Sequence, residues 1–187
     1  MKKVLIVTAH PSKMGFVHLM AERYATAIKE GGGMATILDV YDDKNRQPFL
    51  KFETKKEWPQ EKLKEMQKKI LDADELVLSF PVWWGDAPAI LKNWLDYNFT
   101  PGFAYKYTAK GVKKLLTRKT AKILATSDAP GIAYSFFLAP MRLTWSKMRL
   151  DFCGIKVTDF KVYGKMRKRD EKNREKILTE IESLALK

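Results

Sequence analysis

Lys3-Val4-Leu5-Ile6-Val7-Thr8 is a nearly uninterrupted apolar run at the start of the chain, and Leu76-Val77-Leu78 is a second such run. Neither alternates apolar with polar residues, which is typical of strands buried on both faces of a parallel sheet. Three further segments are rich in apolar and β-branched residues. The sequence therefore predicts five strands, at residues 3–8, 35–40, 75–80, 121–126 and 156–163.

Segments with helical periodicity separate these strands. The first helix is expected to end at Gly31-Gly32-Gly33, the third to begin near Asp86 with Pro88 in its first turn, and the last to begin near Asp170. Apolar side chains recur on one face of each predicted helix. The four stripes are Met20, Tyr24, Ala27 and Ile28; Leu63, Met66 and Ile70; Leu91, Trp94 and Leu95; and Ile177, Ile181 and Leu184.

Alternating strands and helices predict an α/β fold, an open doubly wound sheet of five parallel strands with helices on both faces. Right-handed crossovers place the loops that follow the strands along one edge of the sheet, and ligands bind at that edge. We therefore look for function just after the first, third and fourth strands. The length of 187 residues fits one domain spanning 1–187.

The composition, with 45% hydrophobic and 30% charged residues, is that of an ordinary globular protein. No apolar run approaches the roughly 20 residues that cross a bilayer, and the N-terminal apolar run is too short for a signal peptide. Cys153 is the only cysteine, which excludes an intrachain disulfide and a thiolate metal cluster. We expect a cytoplasmic protein with no bound metal and no insertion into a membrane.

The net charge of +13 is unevenly distributed. No acidic residue lies between Asp96 and Asp128, whereas seven basic residues do. This segment is either a solvated basic surface or a positive approach to a site for an anion such as a pyridine nucleotide. No nucleic-acid-binding signature accompanies the charge, so we expect no nucleic-acid partner. The seven are Lys106, Lys110, Lys113, Lys114, Arg118, Lys119 and Lys122.

The loop from Thr8 to Val17, after the first predicted strand, offers donors for an anion. His10 and Ser12 supply side-chain donors, and Gly15 permits close approach to the backbone at a helix N-terminus, where N–H groups are unpaired. The loop is neither a G-x-G-x-x-G fingerprint nor a P-loop. We interpret it either as a phosphate site or as an ordinary strand–helix connection.

Phe80-Pro81-Val82-Trp83-Trp84-Gly85-Asp86-Ala87-Pro88 follows the third strand and contains two adjacent tryptophans. Both indoles cannot easily point into one core, and an exposed indole face suits a flat aromatic ligand. Backbone N–H groups of this Pro-flanked turn could bind a polar ring edge. We predict a planar-ligand site here, with core packing as the alternative interpretation.

Thr126-Ser127-Asp128-Ala129-Pro130-Gly131 follows the fourth strand and consists mostly of turn-forming residues. Its N–H groups are positioned for an anion or a developing negative charge, so that it would complete a pocket with the other two loops. Gln67 is a polar residue on the apolar stripe of the second helix. It is either satisfied by nearby backbone groups or hydrogen-bonded to a ligand.

These segments together resemble the flavodoxin-like NAD(P)H quinone oxidoreductases, the DT-diaphorase type with its shorter bacterial relatives, over essentially the whole chain. The most specific stretch runs from Pro81 to Tyr105 and is similar to the family's Pro-x-x-Trp…Pro-Ala-x-Leu-Lys-x-Trp followed by Phe-Ala-Tyr. Weaker matches are Ala9-His10-Pro11 with Gly15-Phe16, the Gln-x-x-Ile-x-x-Ala-Asp segment that begins at Gln67, and Phe152-Cys153-Gly154.

The resemblance implies a flavodoxin-like fold, a bound FMN (or alternatively FAD), NADPH or NADH as electron donor, and a homodimer whose second subunit completes the site. It places Trp83, Phe103, Ala104 and Tyr105 beside the nicotinamide or acceptor, and Tyr134 beside the flavin as the candidate proton donor. The implied flavin contacts are His10, Gly15, Phe16, Val17 and Gln67 at the phosphate and ribityl end; Pro81, Val82, Trp83, Trp84 and Gly85 at the isoalloxazine; and Thr126, Ser127, Asp128, Ala129 and Gly131 at its pyrimidine edge.

The chain departs from the family pattern in the first and third loops. Gly15 and Val17 stand where the family has Ser and Asn, and Asp128-Ala129 replaces a glycine pair. A carboxylate near the anionic edge of the flavin is unfavourable unless it points away or caps the next helix. We find no counterpart to the family's active-site histidine, and we expect His18 to face solvent.

The sequence therefore predicts a flavin-dependent NAD(P)H oxidoreductase that passes two electrons as hydride to a quinone-like, azo or nitroaromatic acceptor. One alternative is a flavin-binding regulatory subunit of a membrane potassium efflux system that docks as a peripheral partner through the basic segment. A flavodoxin-type electron carrier is expected to be acidic, unlike this chain. A third alternative is a protein that has kept the fold and lost the flavin.

Overall fold

A five-stranded parallel sheet forms the centre of the molecule in the computed structural model, which describes residues 1–50, 60–129 and 139–187. The strand order is β2-β1-β3-β6-β7, and each neighbouring pair is parallel. The predicted sheet is confirmed, with strand bounds that differ from the expected ones by at most one residue. The strands are β1 Lys3–Thr8, β2 Met34–Asp39, β3 Glu75–Pro81, β6 Thr120–Thr126 and β7 Lys156–Tyr163, and a separate hairpin is formed by β4 Tyr105–Thr108 and β5 Gly111–Lys114.

Helices cover both faces of this sheet, as the periodicity predicts. One face is covered by α1 and α5, and the other by α2, α3 and the segment formed by α4 and the π-helix that follows it. Asp170 caps α5, because its carboxylate accepts a hydrogen bond from the backbone N–H of Asn173 at 2.8 Å. The helices are α1 Phe16–Glu30, α2 Gln60–Asp72, α3 Ala89–Asn98, α4 Ala139–Leu143 with the π-helix Thr144–Asp151, and α5 Glu171–Ala185; Met166–Lys168 is one turn of 3-10 helix.

Each face of the sheet has its own hydrophobic core, because successive side chains of a strand point to opposite faces. In β1, Val4 and Ile6 pack against α1 and α5, whereas Leu5 and Val7 pack on the opposite side. All four side chains are at most 3% exposed. This two-sided burial accounts for the uninterrupted apolar run.

The basic segment does not form one continuous surface. Its hairpin lysines are exposed, but Lys122 is 2% exposed, lies 3.7 Å from Glu75 and donates to the carbonyl of Leu184. Glu75 also accepts from the hydroxyl of Tyr24 at 2.5 Å. Part of the charge of this segment is therefore used inside the fold, and the choice between a solvated surface and an approach to an anion site concerns the exposed lysines.

None of the helices in the described ranges is long and apolar enough to cross a membrane. Across the same residues, no three His, Cys, Asp or Glu side chains are grouped so that they could hold a metal ion.

Candidate functional site

A pocket of about 450 Å³ lies at the carboxyl edge of the sheet, where β1, β3 and β6 end. It brings together the three loops that the topology singled out, and the segment that follows β7 forms its fourth side. Its volume lies within the range of small-molecule sites. The lining residues are His10, Phe16, Val17, Pro81, Val82, Trp83, Thr126, Ser127, Asp128, Ala129, Met166 and Arg167.

The first loop presents the N-terminus of α1 to this pocket. Gly15 is the residue before the helix, and the first N–H groups of the helix, on Phe16 and Val17, have no hydrogen-bond acceptor within the described parts of the chain. A side chain at position 15 would have its Cβ 2.6 Å from Nδ1 of His10 and 2.9 Å from the carbonyl oxygen of Ser12. Glycine therefore permits the tight packing of His10 against the loop, and the free N–H groups suit an anion.

The second loop is a two-residue turn between Trp83 and Asp86. Trp83 N–H donates to Asp86 C=O at 2.8 Å, and Asp86 N–H donates to Trp83 C=O at 3.0 Å. Both central residues have positive φ, 51° at Trp84 and 77° at Gly85, as in a type I′ turn. The turn exposes Trp84 fully and Trp83 by 43%. Trp83 lines the pocket with an indole, which is the feature expected of a planar-ligand site.

The carboxylate of Asp86 fixes the end of this turn. It accepts hydrogen bonds from Trp145 Nε1 at 2.5 Å and from the Ala87 N–H at 2.7 Å, and it forms a forked pair with Arg149 at 2.9 and 3.2 Å. Trp145 and Arg149 both belong to the π-helix. The turn is therefore joined to an element that lies outside the three loops.

The third loop is held by the segment after β7, which the sequence did not indicate as part of the site. Ser127 C=O accepts from Met166 N–H at 3.1 Å, and Ala129 C=O accepts from Lys165 N–H at 3.2 Å. The carboxylate of Asp128 accepts from the Arg167 N–H and pairs with its guanidinium. Asp128 is thus paired with a cation, so that the objection to a lone carboxylate beside a flavin does not apply.

Several expected site residues lie elsewhere. Gln67 is not at the pocket, because its amide donates to Asn98 C=O at 3.0 Å and Thr100 Oγ1 at 3.1 Å. That pairing is the backbone alternative considered for Gln67, and the expected contact with the ribityl chain stays a prediction. His18 is also misassigned, since it is only 7% exposed and its Nε2 donates to His10 C=O at 3.2 Å rather than facing solvent.

The residues expected beside the acceptor also lie outside this pocket. Ala104 is 0% exposed in the single chain, and its expected place beside the acceptor stays a prediction. Phe103 and Tyr105 are partly buried on the core, with the Tyr105 ring 5.0 Å from that of Phe152. Gly131 and Tyr134 fall outside the described residues.

A second, more apolar pocket of about 720 Å³ is also bordered by the Trp83–Asp86 turn. Trp83 lines both pockets, whereas Trp84 lines only this one. Tyr41 and Phe49 from the connection after β2 form part of its wall. The turn therefore borders two spaces that can each accept a planar molecule.

The first pocket fits a flavin mononucleotide by the chemistry of its donors. Free N–H groups at the start of α1 suit a phosphate, and the Trp83 indole with Pro81 and Val82 suits an aromatic ring system. The Trp84 and Gly85 N–H groups have no acceptor among the described residues, but neither residue is part of the lining of this pocket. FMN would thus meet donors for its phosphate and an indole for its ring system.

Comparisons with known proteins agree with this assignment of the fold. A family model described as a flavodoxin-like fold matches residues 2–185. NAD(P)H dehydrogenase [quinone] 1 of Cavia porcellus is 31% identical over 155 residues, which are 72% of this chain and 56% of that protein. The chain thus spans little more than half the length of that relative.

Two further proteins match nearly end to end. An uncharacterized NAD(P)H oxidoreductase of Haemophilus influenzae is 29% identical over 181 residues, covering 93% of this chain and 89% of that protein. The FMN-dependent NADH-azoreductase of Bacillus anthracis, solved in complex with FMN, superposes with a TM-score of 0.81 at 19% identity over 99% of this chain and 98% of that one. At this identity the superposition establishes the common fold.

Proposed function

The chain belongs to the family with the flavodoxin-like fold, and we propose that it is a flavin-dependent NAD(P)H oxidoreductase that reduces quinone or azo acceptors. The observation that supports this most directly is the pocket at the carboxyl edge, which is lined both by the residues with unpaired N–H groups at the start of α1 and by the partly exposed indole of Trp83. Relatives across the family carry the names of NAD(P)H oxidoreductases, which does not favour the regulatory-subunit alternative.

FMN is the proposed cofactor. When bound, it accepts hydride from NAD(P)H and donates hydride to the acceptor. The backbone N–H groups of Phe16 and Val17 bind its phosphate, and the Gly15 backbone allows that approach. Trp83 packs against the ring system, and the N–H groups of Trp84 and Gly85 hydrogen-bond its polar edge. The third loop, from Thr126 to Ala129, borders the pyrimidine edge.

The chain's own contribution to the reaction is electrostatic and steric. Backbone N–H groups that need no reorganisation stabilise negative charge that develops on the ring during reduction. The Asp128–Arg167 pair presents no net charge at that edge, so it does not oppose this development. Tyr134 remains the proposed proton donor and Gly131 a proposed further contact of the pyrimidine edge.

We further propose a homodimer in the cytoplasm, with residues 1–187 acting as one flavin-binding domain. Trp84 is fully exposed and Phe49 is 73% exposed beside the second pocket, an arrangement that a second copy of the chain would cover. Phe103 and Tyr105 would then reach the site of the partner subunit rather than that of their own chain. Sedimentation of the purified protein tests this assembly, and a monomer at micromolar concentration would rule it out.

The visible absorption spectrum of the freshly purified protein tests the function directly. We expect two flavin bands that bleach when NADPH or NADH is added without oxygen and return when a benzoquinone or an azo dye is added. Acid-released cofactor should migrate with FMN rather than FAD. A colourless protein that also takes up no added FMN would contradict the proposal, as would a reduced flavin that quinones do not reoxidise.

A further inference from the structure

The Trp83–Asp86 turn is held in a conformation that its own sequence does not favour. Type I′ turns prefer Asn-Gly or Gly-Gly at the two central positions, because both require positive φ. Here the first of these positions is Trp84, with φ of 51°, and its fully exposed indole makes no packing that would compensate. A bulky residue stays in the left-handed region only where the surrounding structure imposes it. The restraint must therefore come from the ends of the turn.

Asp86 provides that restraint at one end. Its carboxylate receives the two guanidinium contacts of Arg149, the indole N–H of Trp145 and the N–H of Ala87, all at 2.5–3.2 Å. A forked Arg–carboxylate pair fixes orientation as well as distance, which a single contact would not do. We name the side chains of Asp86, Trp145 and Arg149 the turn clamp.

The π-helix holds its two members of the turn clamp rigidly. Trp145 is 0% exposed in the core, with its ring centre 5.5 Å from that of Phe80. The guanidinium of Arg149 lies 4.3 Å from the centre of the Trp145 ring, so that cation and indole stack while both bind Asp86. Only 14% of the Arg149 side chain is exposed. The clamp thus connects the core beneath β3 to the turn that borders both pockets.

Charge also favours the clamp. Partial burial by itself raises the pKa of Asp86, but the hydrogen bonds from Arg149, Trp145 and the Ala87 N–H outweigh that effect and hold this pKa below its ordinary value. Asp86 is therefore ionised at neutral pH. Without Arg149, this carboxylate would keep the hydrogen bonds from Trp145 and the Ala87 N–H but would lose its counter-ion.

We propose that Arg149 and Trp145 are positioning residues for the flavin, which act through Asp86 to hold the N–H groups of Trp84 and Gly85 and the indole of Trp83 toward the cofactor. This inference rests on the proposed function and adds to it residues that touch neither cofactor nor substrate. Flavin affinity is then coupled to the π-helix, because a turn that relaxes from positive φ no longer presents those N–H groups.

Two measurements on Arg149→Met, Arg149→Lys and Asp86→Asn test the proposal. The first is the release of FMN from the holoprotein on dilution, followed by the recovery of free FMN fluorescence. The second is the position of the Trp145 indole N–H resonance in a ¹H–¹⁵N spectrum, assigned with Trp145→Phe. Lys147→Met is the matched control, because Lys147 is an exposed cation of the same π-helix and is not part of the clamp.

We expect Arg149→Met and Asp86→Asn each to raise the Kd of FMN on the order of tenfold, and the double variant to be no worse than the worse single variant, since both remove one unit. Arg149→Lys should recover only part of the loss, because lysine lacks the fork. The Trp145 resonance should move in the same variants with and without FMN. The control should change neither reading.

An unmoved Trp145 resonance in Arg149→Met, or an unchanged Kd in a variant that remains folded, would overturn the turn clamp while leaving the proposed function standing. A wild-type protein that holds no FMN would overturn the proposed function and the positioning role together. In that case the Trp145 resonance would still report whether Arg149 restrains the turn. Additive losses in the double variant would also count against a single clamp.

Discussion

Asp128 and Arg167 form a two-point contact across one side of the pocket. The N–H of Arg167 donates to Oδ1 of Asp128 at 3.1 Å, and its Nε lies 2.8 Å from Oδ2. The pair joins the loop after β6 to the turn after β7. Asp128-Ala129 stands where the family pattern has a glycine pair, and Arg167 is the counter-ion of the added carboxylate. The local charge therefore stays balanced.

Arg167→Met should make the bound flavin harder to reduce. The change leaves the Asp128 carboxylate unpaired beside the ring edge on which negative charge accumulates, and a like charge there opposes reduction. We expect a reduction potential more negative than that of the wild type, measured by dye equilibration, and its return in Arg167→Met with Asp128→Asn. Equal potentials in the wild type and Arg167→Met would show that the pair lies too far from the ring to act.

Gly15→Ala should weaken FMN binding more than riboflavin binding. A Cβ at this position would lie 2.6 Å from Nδ1 of His10, so the loop or the histidine must move from its place at the start of α1. Because riboflavin lacks the phosphate, we expect a loss of at least about tenfold for FMN and a smaller loss for riboflavin. Titration by flavin fluorescence quenching measures both.

Gly31→Ala is the control for this comparison. The closest neighbour of its Cβ would be the end of the Leu186 side chain, at 3.2 Å, with the Ala27 and Ile28 carbonyl oxygens at 3.4 and 3.6 Å, and position 31 lies at the opposite end of α1. Both flavins should bind this variant as they bind the wild type. Equal losses for FMN and riboflavin in Gly15→Ala would place the phosphate elsewhere.

Glu75→Gln should destabilise the fold without changing the affinity for FMN. The substitution removes the carboxylate next to Lys122, which stays buried with the Leu184 carbonyl and the face of the Tyr24 ring but without a counter-ion at that contact. Breaking a buried pair in this way costs about 3–5 kcal/mol. Urea unfolding should report that loss and a partial recovery in Glu75→Gln with Lys122→Met. FMN retention should not change, because Glu75 begins β3 at the edge of the sheet opposite the pocket.

Glu180→Gln provides the matched comparison for Glu75→Gln. Glu180 pairs with Lys161 at 2.8 Å, but both side chains are more than 40% exposed. Exposed pairs contribute about 0–1 kcal/mol, so unfolding should hardly change. Similar losses of unfolding free energy in the two Gln variants would mean that burial does not determine how much the Glu75–Lys122 pair contributes to stability.

The contribution of the turn clamp to stability should depend on pH in a defined direction. The pKa of Asp86 is lower in the folded protein than its ordinary value of 3.8, so the folded state favours the ionised carboxylate. The stabilisation is therefore fully present above that ordinary value and is lost as pH falls through the lower folded pKa. The difference in unfolding free energy between wild type and Asp86→Asn should be constant near neutrality and shrink below about pH 4. A difference that grows on acidification would contradict this sign.

The sequence was sufficient to predict the sheet and the three loops that follow its strands. Burial on both faces of the sheet leaves uninterrupted apolar runs such as Leu76-Val77-Leu78. It was not sufficient for the π-helix. Buried Met141, Trp145 and Leu150 are spaced by four and five residues, a period longer than that of an α-helix. The hairpin also escaped prediction, since its strands have four residues each and are almost entirely exposed.

Pairings across long sequence distances could not be predicted either. Nothing in the local pattern indicates that Arg149 contacts Asp86 or that Arg167 contacts Asp128, because these partners meet only after the sheet has assembled. At Gln67 the local pattern does indicate a partner but does not identify it. A polar residue on an apolar stripe signals a specific partner, but its pattern could not distinguish a ligand from the carbonyl of Asn98.

Because residues of both hydrophobic cores line the pocket, a bound molecule changes how the protein unfolds. Phe16 and Met166 belong to the layer of α1 and α5, whereas Val82 packs with the opposite layer. A molecule that contacts residues of both layers binds only while both layers are folded. Local unfolding of either layer therefore loses the whole binding free energy. Binding of FMN in the pocket would therefore make the two layers unfold as a single cooperative unit. Hydrogen exchange in α1 and in α3 would slow together as FMN is added.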